Sequence, residues 1–265
     1  MMATNIRLFC TDLDGTLLGN PESSWRFTQT WTSLTRGLRP LLVYNTGRTI
    51  AETRALVAAR HLPEPDYIIG SLGTELHDAL YSHADNYQPV SGDSWNLEQV
   101  DRIVAEFSGV KRQPEEFRHR MKSSWFWIRA RREEVDELER RLAREGIDAH
   151  VSYSCRYFLD VVPGWAGKGN TLARLARRLH VAVENTLVAG DTANDTSMFL
   201  LPGIKGIVVR NALPELLGAV TRCQVFVAQF PMAEGVLEGL QHYGVVGELP
   251  FFDAAALRHE APRVS

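Results

Sequence analysis

Four aspartates, a threonine and a lysine stand where this 265-residue chain turns from apolar to polar. Asp12 and Asp14 lie in Thr11-Asp12-Leu13-Asp14-Gly15-Thr16, just after an apolar run at 6–10. Thr46-Gly47-Arg48 follows the run at 41–45. Asp191 and Asp195 follow the run at 186–189, in Gly190-Asp191-Thr192-Ala193-Asn194-Asp195. Lys168 opens a stretch with Leu172, Leu175 and Leu179 on one helical stripe. Carboxylates gathered without a His or Cys partner make an all-oxygen site, which suits Mg2+ better than zinc or iron. A carboxylate can also attack phosphorus and form an aspartyl phosphate. That attack is repelled by a phosphate dianion unless cations intervene, and a magnesium ion with Lys168 would supply them. The Thr46 hydroxyl and backbone N–H groups near Gly47 can hold the remaining phosphate oxygens. Asp14 is close enough in sequence to protonate a leaving oxygen and then take a proton from water.

Those groups can meet only if the elements carrying them share one edge. The short apolar runs at 6–10, 41–45, 67–70, 186–189, 207–209 and 225–227 predict buried strands. Thr49-Ile50-Ala51-Glu52 matches a capping box, so a helix is expected from there to about residue 60, where Pro63 and Pro65 follow. Lys168-Gly169-Asn170 opens another. Strands alternating with helices predict an α/β fold, a doubly wound parallel (Rossmann-like) sheet covered on both faces. In such a sheet the active site lies beyond the carboxyl ends of the strands, where the polar clusters fall.

The middle of the chain differs. Residues 82–96 are polar and contain Gly and Pro, as a boundary would. Amphipathic helices are expected at 97–107 and 132–145, with strands at 125–130, 151–153 and 157–162. The expected division is a core of 1–80 plus 164–244, an inserted smaller α/β cap domain at 81–163, and a tail at 245–265. Phe251, Phe252 and Leu257 give the tail apolar side chains with which to dock.

Each signal has a plainer reading. An Asp-x-Asp-Gly-Thr string is also a turn, Lys168 also a solvated helix-start lysine, and Asp195 also a first-turn acid with Asn194 as N-cap. Asn211 is either a turn residue or a support for the site. Arg118, His119, Arg120 and Lys122 form a basic run ahead of Trp125 and Trp127. For most of this run a solvated face is expected, with both tryptophans packed on the helices.

The motifs together resemble those of haloacid dehalogenase-like (HAD) phosphatases. Asp12-Leu13-Asp14-Gly15-Thr16 is similar to the first motif of that superfamily. Thr46-Gly47-Arg48, Lys168 and Gly190–Asp195 follow in the order of the other three. The resemblance implies Asp12 as nucleophile, Asp14 as acid/base, and Thr46 and Lys168 as phosphoryl-binding groups. It implies a magnesium ion held by Asp12, the Asp14 carbonyl, Asp191 and Asp195. Segments 65–69 with 73–75, 206–217 and 233–237 resemble the sucrose-phosphate phosphatase branch, and the likeness covers about 6–244. Residues 118–126 and the length resemble the bacterial mannosylfructose-phosphate enzymes of that branch. Plant and cyanobacterial members often carry a bulkier residue where Gly15 stands. The implied substrate is a sugar or disaccharide phosphate, mannosylfructose phosphate ahead of sucrose 6-phosphate. Gly47, Arg48, Glu75, Lys122 and Asn194 are the expected substrate contacts. A glycosyltransferase that makes the phosphorylated disaccharide is the expected metabolic neighbour. The enzymatic alternative is a phosphomutase, and the non-enzymatic one a sugar-phosphate-binding protein.

Composition narrows the field. With 29 Lys+Arg against 32 Asp+Glu, the net charge of -3 gives no electrostatic footprint for nucleic acid. The 3 cysteines (Cys10, Cys155, Cys223) lie far apart, which argues against a disulfide framework or a thiolate metal site. No apolar stretch approaches the roughly 20 residues of a membrane span. No basic stretch with a long apolar run opens the chain, so a cytoplasmic protein without membrane attachment is expected.

Overall fold

Leu8, Phe9 and Cys10 are fully buried because their strand runs through the middle of a sheet packed on both faces. The structure, a computed structural model, describes residues 5–79, 84–85, 95–115 and 119–249. Its elements in chain order are β1 (Leu8–Thr11), α1 (Pro21–Ser33), β2 (Leu41–Asn45), α2 (Ile50–Ala58), β3 (Tyr67–Gly70), β4 (Glu75–Asp78) and β5 (Ala84–Asp85). There follow α3 (Leu97–Ala105), β6 (Val110–Arg112), β7 (Ser123–Trp127), α4 (Arg132–Arg144), β8 (Ala149–Ser154) and β9 (Phe158–Pro163). The last group is α5 (Lys168–Arg178), β10 (Thr186–Gly190), α6 (Thr196–Phe199), β11 (Lys205–Val208), α7 (Pro214–Ala219), β12 (Gln224–Val227) and α8 (Met232–His242).

The larger sheet has the order β12-β11-β10-β1-β2-β3-β4-β5. The pairings from β12 to β3 are parallel; β4 and β5 extend the edge antiparallel, which the sequence patterning did not indicate. Alternate residues of β1 serve opposite faces, as the two-residue period of a strand requires. Phe9 joins Phe27 and Trp31 of α1 and Val236, Leu237 and Leu240 of α8. Leu8 and Cys10 join Leu172 and Leu175 of α5, Met198 and Phe199 of α6, and Leu216 of α7. Truncating a buried aromatic such as Trp31 to Ala costs about 3–5 kcal/mol.

The smaller sheet, β6-β7-β9-β8, is antiparallel throughout. One of its faces carries Trp125, Trp127, Leu159 and Val161 against Val100 and Val104 of α3 and Val135, Leu138 and Leu142 of α4. Strand β7 starts two residues before the expected 125 and stops at Trp127, because the chain turns at Arg129, whose φ is +53°. Where β9 re-enters the larger layer, Leu72 packs on Val162 and Ala166. Gly73 (φ +87°) faces Gly167 here so closely that a Cβ would lie 2.6 Å from the Gly167 carbonyl oxygen. Most of the expected boundary at 82–96, Arg118, and the tail aromatics Phe251 and Phe252 with Leu257 lie outside the described residues.

Candidate active site

Asp12 is the first residue past β1, and its N–H continues the strand ladder by donating to the Ala189 carbonyl of β10 at 3.0 Å. This pairing sets Asp12 beside the loop that carries Asp191 and Asp195. Lys168 reaches the same point as the first residue of α5, after Gly167 turns the chain at φ +106°. Its carbonyl accepts from Asn45 Nδ2 at 3.0 Å, and Thr171 one turn later donates to the Gly73 carbonyl at 2.8 Å.

The ammonium of Lys168 donates to Asp12 Oδ1 at 2.7 Å and to Asp195 Oδ1 at 2.6 Å. The lysine is 1% exposed and Asp195 is 0% exposed. Asp195 Oδ2 accepts from the backbone N–H of Asp191 (3.0 Å) and of Thr192 (3.1 Å). Asp195 therefore fixes both the lysine and the turn that presents Asp191. Asp191 Oδ1 accepts from Thr16 Oγ1 at 3.1 Å, tying this turn to the loop after β1. Gly15 (φ +79°) packs on the same carboxylate, and a Cβ there would lie 2.2 Å from Asp191 Oδ2. Asn211 braces the loop by donating from Nδ2 to the Gly15 carbonyl at 2.8 Å while its Oδ1 accepts from Met232 N–H.

Asp12, Asp191 and Asp195 each bring an oxygen within 4.8 Å of the others, all three buried. One ammonium compensates three carboxylates. Burial, then the neighbouring Asp195, push the Asp191 carboxyl up to about 7. Burial, against the pull of Lys168, raises the Asp12 carboxyl well above the ordinary range. The contact with the two acids outweighs burial and raises the Lys168 ammonium, so it stays charged. Three buried acids facing one cation form a site whose excess negative charge a divalent hard cation would balance. The donor set therefore fits the magnesium expected from the sequence.

Thr46 follows β2 and is buried, its hydroxyl accepting from the Arg48 N–H at 3.2 Å. Asp14 and Arg48 form a bidentate pair, with Nε to Oδ2 at 2.7 Å and Nη2 to Oδ1 at 2.6 Å. Both line a cavity of about 490 Å3 together with Asp12, Gly47, Thr192 and Asn194. Its opposite wall comes from the smaller sheet: Gln113, Lys122, Ser154, Phe158 and Asp160. Lys122 Nζ donates to the Gly47 carbonyl at 3.2 Å and lies 3.7 Å from Asp160, whose Oδ1 accepts from Ser124 Oγ at 2.6 Å. Gln113 and Asp160 were invisible to sequence reasoning. Gln113 is buried just past β6 and Asp160 is half-buried on β9, and the pairing of β6 and β9 with β7 brings them to the wall that holds Lys122.

Glu75 does not line this cavity. Ser71 and Leu72 take φ of +48° and +55°, turning the chain back into β4. Glu75 then accepts from Ser71 Oγ at 2.6 Å and faces His119 Nε2 at 3.7 Å. It is a contact between the two layers, reinforced by Thr74 Oγ1 3.3 Å from His119 Nδ1. Cys10 is buried, and burial pushes its thiol up to about 12.

The parallel sheet, the acids and lysine at its carboxyl edge and the inserted α/β layer above them define a phosphatase of the HAD type. The family model for sucrose-6F-phosphate phosphohydrolase matches residues 5–244, and the chain belongs to that family. It is 39% identical over 242 residues to the mannosylfructose-phosphate phosphatase of Agrobacterium fabrum, covering 91% of this chain and 98% of that one. A probable sucrose-phosphatase 2 of Arabidopsis thaliana is 31% identical over 255 residues; the match spans 89% of this chain but 59% of that protein. Among solved structures, the sucrose-phosphatase of Synechocystis sp. PCC6803 in complex with sucrose and phosphate superposes with a TM-score of 0.81 at 28% identity, covering 90% and 98% of the two chains. Like these relatives, the protein is a phosphoric monoester hydrolase. Among the described residues no helix is long and apolar enough to cross a membrane.

Proposed function

We propose that the protein hydrolyses a disaccharide phosphate monoester with Mg2+, by way of a phosphorylated Asp12, and that mannosylfructose phosphate is preferred to sucrose 6-phosphate. The observation that carries this reading is Lys168, fully buried yet bonded to both Asp12 and Asp195. An ammonium so placed serves a reaction that gathers negative charge more readily than it serves stability, since a buried ion pair is weak evidence for stability.

Asp12 Oδ2 is the oxygen not taken by Lys168, and it attacks phosphorus. The bond to the sugar oxygen breaks, and Asp14 gives that oxygen a proton. Water then attacks the phosphorus of the acyl phosphate, losing its proton to Asp14, and the Asp12 carboxylate leaves. Lys168, the Thr46 hydroxyl and the Gly47 N–H hold the phosphoryl oxygens through both halves. Asp12, the Asp14 carbonyl and Asp191 would hold the magnesium ion, with Asp195 in reach, and bound there it would neutralise charge on the transferring group.

Lys122, Asp160, Gln113 and Asn194 supply donors and acceptors for sugar hydroxyls, and Phe158 supplies an apolar face. The preferred sugar rests on the 39% identity across nearly the whole of the Agrobacterium fabrum enzyme. A phosphorylated disaccharide arises when a glycosyltransferase joins a sugar to a sugar phosphate, so such an enzyme is the proposed supplier. Phosphate release from mannosylfructose phosphate, sucrose 6-phosphate, glucosylglycerol phosphate and simple hexose phosphates tests the reading. Mannosylfructose phosphate is expected to give the highest kcat/KM, and equal values across the panel would refute disaccharide preference.

A further inference from the structure

The Asp14–Arg48 pair stands partly in solvent, with side-chain exposures of 55% and 35%. Exposed ion pairs contribute a median of about 0–1 kcal/mol to stability, and what the two parallel bonds of a fork add is a fixed geometry. The backbone that presents the guanidinium is unusually well fixed. Arg48 N–H donates to Thr46 Oγ1 and its carbonyl accepts from Ser71 N–H at 2.7 Å. The preceding carbonyl, that of Gly47, accepts from Lys122 across the cavity. Among the described residues the two guanidinium bonds are the hydrogen bonds that orient the Asp14 side chain.

We infer that Arg48 is a positioning residue for Asp14, holding its carboxylate as the base that takes the proton of the attacking water. The inference rests on the proposed role of Asp14 and deepens it. A carboxylate has about four lone-pair sites over its two oxygens, and the fork occupies one on each. A lone pair on each oxygen stays open to the cavity to accept a water hydrogen. In this step the water oxygen bonds to phosphorus, its proton passes to Asp14, and the P–O bond to Asp12 breaks with the electron pair returning to Asp12. In the first half-reaction the sugar oxygen is already held by its bond to phosphorus, whereas the water of the second is free and is aimed by the carboxylate, so the loss of the fork should slow the second half-reaction more than the first.

The experiment is rapid-quench kinetics with sucrose 6-phosphate and magnesium, following sugar and phosphate separately in wild type, Arg48→Gln and Arg48→Lys. Lysine keeps the charge and loses the fork. Both variants are expected to lose at least about tenfold in kcat, the scale on which a positioned base acts. Both should show a burst of sugar matching the enzyme concentration before phosphate appears. A rise in KM alone would make Arg48 a substrate contact and overturn the inference, as would full rescue by lysine or a loss of kcat without a burst. Asp14→Asn is run alongside. Full turnover by that variant would reject the role of Asp14 itself, whereas a crippled Asp14→Asn with normal Arg48 variants rejects only the part given to Arg48.

Discussion

The ammonium of Lys168 lies 2.7 Å from Asp12 Oδ1 although 156 residues separate them in sequence. The same nitrogen reaches Asp195, so one side chain joins the end of β1 to the turn after β10. Removing it leaves two buried carboxylates facing each other. Lys168→Met is expected to cost about 3–5 kcal/mol, the scale for breaking a buried pair from one side. It should lower kcat by at least about a hundredfold, as loss of a positioned electrostatic group does. Chemical denaturation and phosphate release measure the two effects; a variant with wild-type stability and rate would mean that the lysine is a bystander.

Stability of the metal-free protein should depend on pH in an unusual direction. Asp191 sits at about 7 in the fold against 3.8 ordinarily, so the folded state binds the extra proton. The contribution is fully present below 3.8 and is lost as pH rises through about 7. In chelator the melting temperature is expected to fall between pH 5 and pH 8. Added magnesium, by favouring the charged carboxylates, should flatten that slope and raise the melting temperature at pH 8 most. Identical curves with and without magnesium would contradict the metal site.

Gly15 is confined from two sides, by a φ of +79° and by the Asp191 carboxylate that a Cβ would strike. Gly15→Ala is expected to destabilise by about 1–3 kcal/mol, the usual cost of a strained backbone position, and to displace Asp191. Magnesium affinity, read by titration calorimetry, should weaken in step. Unchanged affinity would mean that Asp191 moves without consequence for the ion.

Much of this was written in residue types. The strands at β1, β2 and β10 are legible because a strand buried on both faces must be apolar throughout, and the acids follow where that apolarity stops. Helix α1 escaped notice, since PESSWRFTQTWTS is polar on average and buries few side chains, among them Phe27 and Trp31. Its Asn20 N-cap and Pro21 were the available signals. The placement of Glu75 away from the cavity could not be read, because the turn that sends it there puts Ser71 and Leu72, not glycines, at positive φ. The wall of Gln113 and Asp160 depends on how β7 pairs with β6 on one side and with the distant β9 on the other, which no local pattern encodes.

The central claim is that Asp12 carries the phosphoryl group. During turnover of sucrose 6-phosphate, an acid quench followed by borohydride reduction converts an aspartyl phosphate to homoserine, which peptide mass spectrometry locates. Homoserine is expected at position 12 in the wild-type chain and at no position in Asp12→Asn, which should fold normally and release no phosphate. Homoserine at another aspartate, or phosphate release by Asp12→Asn at the wild-type rate, would contradict the account.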